Sequence, residues 1–186
     1  MKKIIVFGSG DGSNFEAIIN YFINKDVEFI CVSDKKEAFI LERAAKFGIK
    51  AFYVPYSETY DFLKDKECDF VVLAGYMRIL PKEVLELHTF INIHPSLLPK
   101  YKGKDAIKKA YENKEKITGV TVHYVSEEID SGEIILQSSL IIENNMKLEE
   151  LEEKIHEIEH YIYPKVIDYL LFTTDIGSLV NLTAEF

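Results

Sequence analysis

The chain has no tryptophan and only two cysteines, Cys31 and Cys68, among 186 residues. Two thiols without CxxC spacing or a cluster of further soft ligands exclude a disulfide scaffold and a structural zinc site. Each lies in or beside an apolar, strand-like run, so both read as buried free thiols. Five prolines and nine glycines are too few for a collagen-like or low-complexity chain. No apolar run approaches the roughly 18 to 20 residues that cross a bilayer. Met1-Lys2-Lys3-Ile4-Ile5-Val6-Phe7 has the basic start of a signal peptide, but the run stops at Gly8, before an h-region forms, and reads as a first strand. The expected compartment is the cytoplasm. Positive charge is also scarce: 22 Lys and Arg face 31 Asp and Glu, a formal net charge of -9. Nucleic acid and acidic membranes demand a basic footprint, so neither is an expected partner. A phosphorylated small molecule stays open, because loop amides and helix N-termini hold phosphate without net positive charge.

What is present is an ordinary globular composition, 47% hydrophobic and 28% charged, long enough to bury a sizeable core. One domain spanning 1–186 is expected, with no linker or internal repeat. The first half alternates strand and helix periods, the pattern of βαβ units around a parallel sheet. Strands are read at 3–7, 27–32, 50–54 and 70–74. Helices are read at 14–24, 36–47 and 57–66, with Gly48 closing the second and Gly75 ending the fourth strand. Pro81 opens a short helix through Leu87, and a strand at 89–93 follows. The second half changes character. After a helix at 104–113, strands at 118–125 and 133–142 flank an Asp130-Ser131-Gly132 turn, which predicts antiparallel additions to the sheet. A long amphipathic helix at 147–171 is expected to be interrupted by Pro164. The tail from Thr173 on is weakly patterned and is expected to pack on the sheet. The fold class is doubly wound α/β.

The segment Asn92-Ile93-His94-Pro95 joins two polar side chains at strand spacing to a stiff turn. Residues two apart on a strand share a face, so Asn92 and His94 project side by side, and Pro95 ends regular pairing. The Asp130 turn lies downstream, where an amide, an imidazole and a carboxylate can meet. His88 and His156, on predicted helices, read as ordinary surface or boundary residues. His123 lies on a strand and carries no assigned role.

Gly8-Ser9-Gly10-Asp11-Gly12-Ser13-Asn14 follows the first strand and opens the first helix, a phosphate-loop pattern. A dinucleotide fingerprint needs glycine at position 13, which is serine, and the P-loop lysine is absent. Asp34, at the end of the second strand, resembles a ribose-binding acid and keeps a nicotinamide cofactor open. The plain alternative is a glycine turn with Ser13 or Asn14 as helix cap.

These pieces, in this order, resemble the phosphoribosylglycinamide formyltransferases, folate-dependent enzymes of purine synthesis. The resemblance runs from the first strand to about Val166. It is carried by Ser9-Gly10-Asp11-Gly12-Ser13-Asn14, Leu73-Ala74-Gly75-Tyr76-Met77-Arg78-Ile79-Leu80, the stretch from Asn92 to Gly103, Gly119 to Val125, Asp130 to Ile135, and Glu159-His160-Tyr161-Ile162-Tyr163-Pro164. It implies a Rossmann-like, mostly parallel sheet with antiparallel strands added in the C-terminal half. It also implies transfer of a formyl group from 10-formyltetrahydrofolate to the amine of 5'-phosphoribosylglycinamide, with no metal. Asn92, His94 and Asp130 match the family's catalytic set. Gly12, Ser13, Asn14, Pro95 and Glu159 match its ribonucleotide contacts, and Met77, Arg78, Ile79, Leu80 and Asn92 its folate contacts. The partners implied are small molecules, and the expected assembly is a monomer or a homodimer. An arginine that relatives carry for the folate glutamate tail is not evident in Tyr56 to Asp61, where Lys64 or Lys66 would have to substitute.

Three rivals share parts of this pattern. Formyltetrahydrofolate hydrolases carry an added regulatory domain where this chain opens on its first strand. Methionyl-tRNA formyltransferases add a basic C-terminal domain where this chain is short and acidic. A non-catalytic nucleotide-binding module would tolerate loss of His94; an enzyme of the expected kind would not.

Overall fold

A computed structural model describes residues 1–173. Its strands are β1 (Lys2–Phe7), β2 (Val27–Ser33), β3 (Lys50–Tyr53), β4 (Phe70–Leu73), β5 (Phe90–His94), β6 (Ile117–Tyr124) and β7 (Ile134–Ile141). Its helices are α1 (Ser13–Phe22), α2 (Phe39–Lys46), α3 (Thr59–Leu63), α4 (Lys82–Leu85), α5 (Ala106–Glu112) and α6 (Leu148–Phe172). The strands form one seven-stranded sheet in the order β3-β2-β1-β4-β5-β6-β7. Where the first half reads as βαβ units, β1 pairs in parallel with β2 and β4, β2 with β3, and β4 with β5. The β6–β7 pair is antiparallel, as the Asp130 turn implies. The chain divides into two compact units after Asn92.

In the first unit, Ile4, Ile5, Val6 and Phe7 are buried along all of the second half of β1, as a central parallel strand requires. α1 buries Phe15, Ile18, Ile19 and Phe22, an i, i+3, i+4, i+7 stripe in which each large side chain stabilises by about 1.5 to 3 kcal/mol. α2 begins at Phe39, three residues later than the pattern suggests. Lys35 and Ala38 are held instead in a turn, with the Lys35 amide on Ser33 Oγ and the Ala38 amide on the Lys35 carbonyl. The expected helix at 57–66 is a 3₁₀ turn, Tyr56–Glu58, running into the short α3. Pro81 is the extended residue before α4 rather than its first turn, and the helix ends at Leu85. His88 therefore lies beyond the helix. Its Nε2 is 3.1 Å from the Leu63 carbonyl and its Nδ1 3.6 Å from Cys68 Sγ. Cys31 is buried as expected, whereas Cys68 is only half-buried. Burial pushes the Cys31 thiol up to about 12 and the Cys68 thiol to about 11, so neither is a ready thiolate.

In the second unit, β7 alternates, burying Leu136, Ser138 and Leu140, whereas β6 is buried without a break from Thr118 to His123, and α6 packs on both strands. α6 is not interrupted at Pro164. A proline inside a helix removes one N–H and crowds the carbonyl four residues back. Here Ile155, Ile158 and Ile162 before it, and Val166, Ile167 and Leu171 after it, are all buried, and that continuous apolar face carries the helix through. No helix among the described residues is long and apolar enough to cross a membrane. The expectation that the tail packs on the sheet concerns residues 174–186, outside the described residues.

Candidate active site

The phosphate-loop candidate is built by β1 and α1. Gly12 is the residue before α1, at φ 80°, and no side chain caps the helix; neither Ser13 nor Asn14 is the cap. A left-handed residue there starts the helix without a side-chain cap on its first-turn amides, the kind of helix start that can take an anion. The loop is braced from α2. The Ile40 amide donates to the Gly10 carbonyl at 3.1 Å, and Arg43 holds the Asp11 carbonyl at 2.8 Å, the Asp11 carboxylate at 2.9 Å and Glu16 as well. The Arg43 brace went unread in the sequence, though its i, i+4 relation to Phe39, whose ring lies beneath the guanidinium, was visible.

Asp34 does not face a ribose. Its side chain has 0% exposure, and its two oxygens accept from Ser9 Oγ and Arg78 Nε, each at 2.6 Å. Burial works to raise this carboxyl's pKa. The Ser9 hydroxyl and the Arg78 guanidinium outweigh it and hold the group below its ordinary value. Ser9 Oγ in turn accepts the Met77 amide at 2.9 Å. One buried carboxylate thus ties the loop after β1 to the stretch after β4. That use of Asp34 removes the observation that kept a nicotinamide cofactor open. In the stretch itself Leu80 is buried, while Met77 and Ile79 are 56% and 58% exposed. The Ile79 carbonyl accepts from Tyr56 Oη at 2.6 Å. Lys64 pairs with Asp61 at 2.7 Å, and Lys66 lies over the Phe62 ring.

β5 carries Asn92 and His94 two residues apart, with Asn92 half-buried and His94 buried at the strand end. The structure brings His94 and Asp130 together. His94 Nδ1 is 3.3 Å from Asp130 Oδ2, and His94 Nε2 is 2.8 Å from the Tyr101 carbonyl. A carbonyl only accepts, so Nε2 carries a proton. The Nδ1 contact is longer than an ordinary N–H···O bond, which leaves that nitrogen the freer of the two. Asp130 sits at φ 47°, a left-handed conformation that aspartate tolerates, so it is a turn residue as well as a partner of His94. Its Oδ2 accepts the Gly103 amide at 2.7 Å, and its Oδ1 is 3.6 Å from His123 Nε2. Burial works to raise the Asp130 pKa. His123, the Gly103 amide and the His94 charge together outweigh it and hold the carboxyl low. Lys102 ties the same turn down through Ser131 Oγ and Glu128. Gly132 completes it: a Cβ there would stand 1.6 Å from the Tyr124 carbonyl oxygen. His123, Lys102 and Gly103 thus serve this turn, a role their residue types did not announce; only the position of His123 on a strand beside the motif hinted at it.

Glu159 is buried on α6 and pairs with His156, Nδ1 to Oε2, at 2.9 Å. His156 is not an idle surface residue. Its Nδ1–H donates to the Glu159 carboxylate, and that hydrogen bond raises its pKa against a smaller effect of burial. The i, i+3 spacing of the two residues was the available signal.

The sequence and the fold recur in known proteins. The formyl transferase family model matches residues 2–167. A phosphoribosylglycinamide formyltransferase of Bacillus subtilis (strain 168) is 40% identical over 193 residues, covering 96% of this chain and 99% of the relative. The crystal structure of the enzyme of that name from Bacillus halodurans matches with a TM-score of 0.86 at 37% identity, over 94% of this chain and 97% of that one. That of glycinamide ribonucleotide transformylase 1 from Geobacillus kaustophilus matches with a TM-score of 0.85 at 40% identity, over 92% and 99%. Agreement of sequence and fold from β1 into α6 leaves one assignment: the chain belongs to the formyl transferase family, with the phosphoribosylglycinamide formyltransferases.

Proposed function

We propose that this chain transfers the formyl group of 10-formyltetrahydrofolate to the amine of 5'-phosphoribosylglycinamide in purine biosynthesis, acting in the cytoplasm as a single formyltransferase domain and as a monomer or homodimer. The observation that carries the reading is the buried His94–Asp130 pair at the end of β5, with Nε2 committed to a carbonyl and Nδ1 held loosely at 3.3 Å. Formyl transfer needs such a group. When the substrate amine attacks the formyl carbon, the carbonyl oxygen takes negative charge in a tetrahedral intermediate. Nδ1–H of His94 and the Asn92 amide donate to that oxygen. One positioned oxyanion donor typically contributes about 3 to 4 kcal/mol to lowering the barrier. Asp130, held ionised, balances the imidazolium charge and is assigned the amine proton, taken directly or through water. Collapse of the intermediate breaks the bond from the formyl carbon to the folate nitrogen, which leaves carrying the proton that the amine gave up.

The ribonucleotide phosphate is assigned to the amides of Gly12, Ser13 and Asn14, and its glycinamide end to Pro95 and Glu159. The uncapped start of α1 supports the first assignment, and the burial of Glu159 beside His156 supports the second. The donor is assigned to Met77, Arg78, Ile79 and Leu80, with Asn92. The exposed apolar side chains of Met77 and Ile79 suit a flat aromatic partner. The test is a spectrophotometric assay of folate product release from 10-formyltetrahydrofolate, with and without glycinamide ribonucleotide. Release that requires the amine is expected; release to water alone overturns the proposal in favour of a hydrolase.

A further inference from the structure

The most expensive backbone conformation beside His94 belongs to a residue without a role so far. Tyr101 has φ 56°, in the left-handed region that bulky residues rarely enter. Such strain persists only where the surroundings over-determine it. The carbonyl just before it, that of Lys100, accepts from Ser96 Oγ at 2.6 Å. The Tyr101 hydroxyl donates to Glu115 Oε1 at 2.8 Å, and Lys100 Nζ reaches the same oxygen at 2.9 Å. Glu115 is fixed in its turn by its own amide, which donates to the Ala110 carbonyl at 3.1 Å.

What the strained conformation accomplishes lies at the other end of Tyr101. Its carbonyl is turned to accept from His94 Nε2 at 2.8 Å. A neutral imidazole has one N–H and either nitrogen can carry it. An acceptor fixed at Nε2 settles that choice and leaves Nδ1 as the nitrogen whose proton comes and goes. A tyrosine free to relax to negative φ would swing this carbonyl away. The ring would then sample both tautomers, and Nδ1 would no longer be the one nitrogen kept open to take up the second proton and, in the imidazolium, donate it to the forming oxyanion.

We propose that Tyr101 and Glu115 are positioning residues for His94: Glu115 grips the phenol, the grip holds Tyr101 left-handed, and the Tyr101 carbonyl fixes the working tautomer of the imidazole. The catalytic part of this inference rests on His94 acting in formyl transfer.

Three variants of the full chain test it: Glu115→Ala, Tyr101→Phe and Glu115→Gln, the last of which keeps an oxygen able to accept the phenol proton. Glu115→Ala and Tyr101→Phe are expected to lower kcat about ten- to a hundred-fold. KM for both substrates should stay within about twofold, since a residue acting only on the imidazole touches neither, and Glu115→Gln should recover most of kcat. Nitrogen-15 spectra of the His94 imidazole should show one fixed tautomer in the parent and in Glu115→Gln, and tautomer exchange in the other two. Unchanged His94 spectra in both Glu115→Ala and Tyr101→Phe overturn the inference, whatever happens to turnover. So does an equal loss of kcat in all three variants. Should Glu115→Ala not fold, Tyr101→Phe, which removes a single oxygen, carries the test. The spectra need no substrate, so a parent enzyme that fails to formylate glycinamide ribonucleotide refutes the functional proposal while the positioning role is still decided.

Discussion

Replacing Gly12 by alanine combines two independent costs, and the structure allows both to be sized. Gly12 has φ 80°, and an L-residue held in the left-handed region loses about 1 to 2 kcal/mol. The added methyl would also meet Ile40, with its Cβ and Cγ1 at 2.7 Å and its Cα at 2.9 Å. Forced overpacking of this kind costs about 1 to 3 kcal/mol. The sum is about 2 to 5 kcal/mol. At roughly 2 to 4 °C per kcal/mol for a chain of this size, Tm should fall by about 4 to 20 °C. Because Ile40 Cβ and Cα are among the obstacles, trimming Ile40 to alanine should not restore the variant. Gly10, in the same loop, has open space where its Cβ would go, so Gly10→Ala should melt close to the parent. Thermal unfolding by circular dichroism, with KM for the ribonucleotide measured alongside, checks the set. A Gly12→Ala protein that melts within about 2 °C of the parent refutes the reasoning. Weaker ribonucleotide binding by Gly12→Ala would accordingly report a displaced loop as much as a blocked phosphate.

His94→Ala should lower kcat by about 10² to 10³ with both KM values within a few-fold; steady-state kinetics showing unchanged kcat would remove His94 from the reaction. Asp34→Asn leaves one of its two donors, buried Ser9 or half-exposed Arg78, facing an amide N–H₂. It should cost about 1 to 3 kcal/mol, since half-exposed Arg78 can rehydrate, and should raise KM for the folate donor; urea unfolding with an unchanged midpoint contradicts this. The Asp34 carboxyl is held low, so its contribution is present above the ordinary carboxylate pKa and lost only as pH falls through the depressed folded value. His156 has the opposite sign. Its folded pKa is raised above 6.5, so the stability it adds is complete below that pH and disappears as pH rises through the folded value. His156→Gln should therefore lose stability mainly in mild acid, by less than about 1 kcal/mol given its exposure, and a loss independent of pH across a melting series would exclude the pairing.

Period and punctuation made the sheet legible. β1 and β4 are uninterrupted apolar runs, α1 is a clean helical stripe, and Gly48 and Gly75 stand where their positive φ values end elements. His94 and Asp130 were legible as a pair because strand spacing and turn chemistry both pointed to them. What could not be read is what joins residues distant in sequence or through the main chain. Asp34 lies 44 residues before Arg78, and nothing local distinguishes a carboxylate that meets a guanidinium from one that meets a sugar. The Tyr101 partner of His94 is a carbonyl, which every residue possesses, so no side-chain pattern marks it. Pro164 misled for the converse reason. Local chemistry argues for a break, and the buried stripe on both sides of it, a tertiary effect, overrides that preference.

The exposed pair Met77 and Ile79 has a calorimetric meaning. Two large apolar side chains in water beside a buried Leu80 are ordered by neighbouring hydrogen bonds rather than by being covered. Covering them with a flat ring removes apolar surface from water, and the dependable sign of that is a negative heat-capacity change. The enthalpy of donor binding should thus grow more favourable with rising temperature, while the ribonucleotide, which we propose is held by amides and a carboxylate, should show a much flatter slope. Saturating donor, by binding only the folded chain, should raise Tm as well.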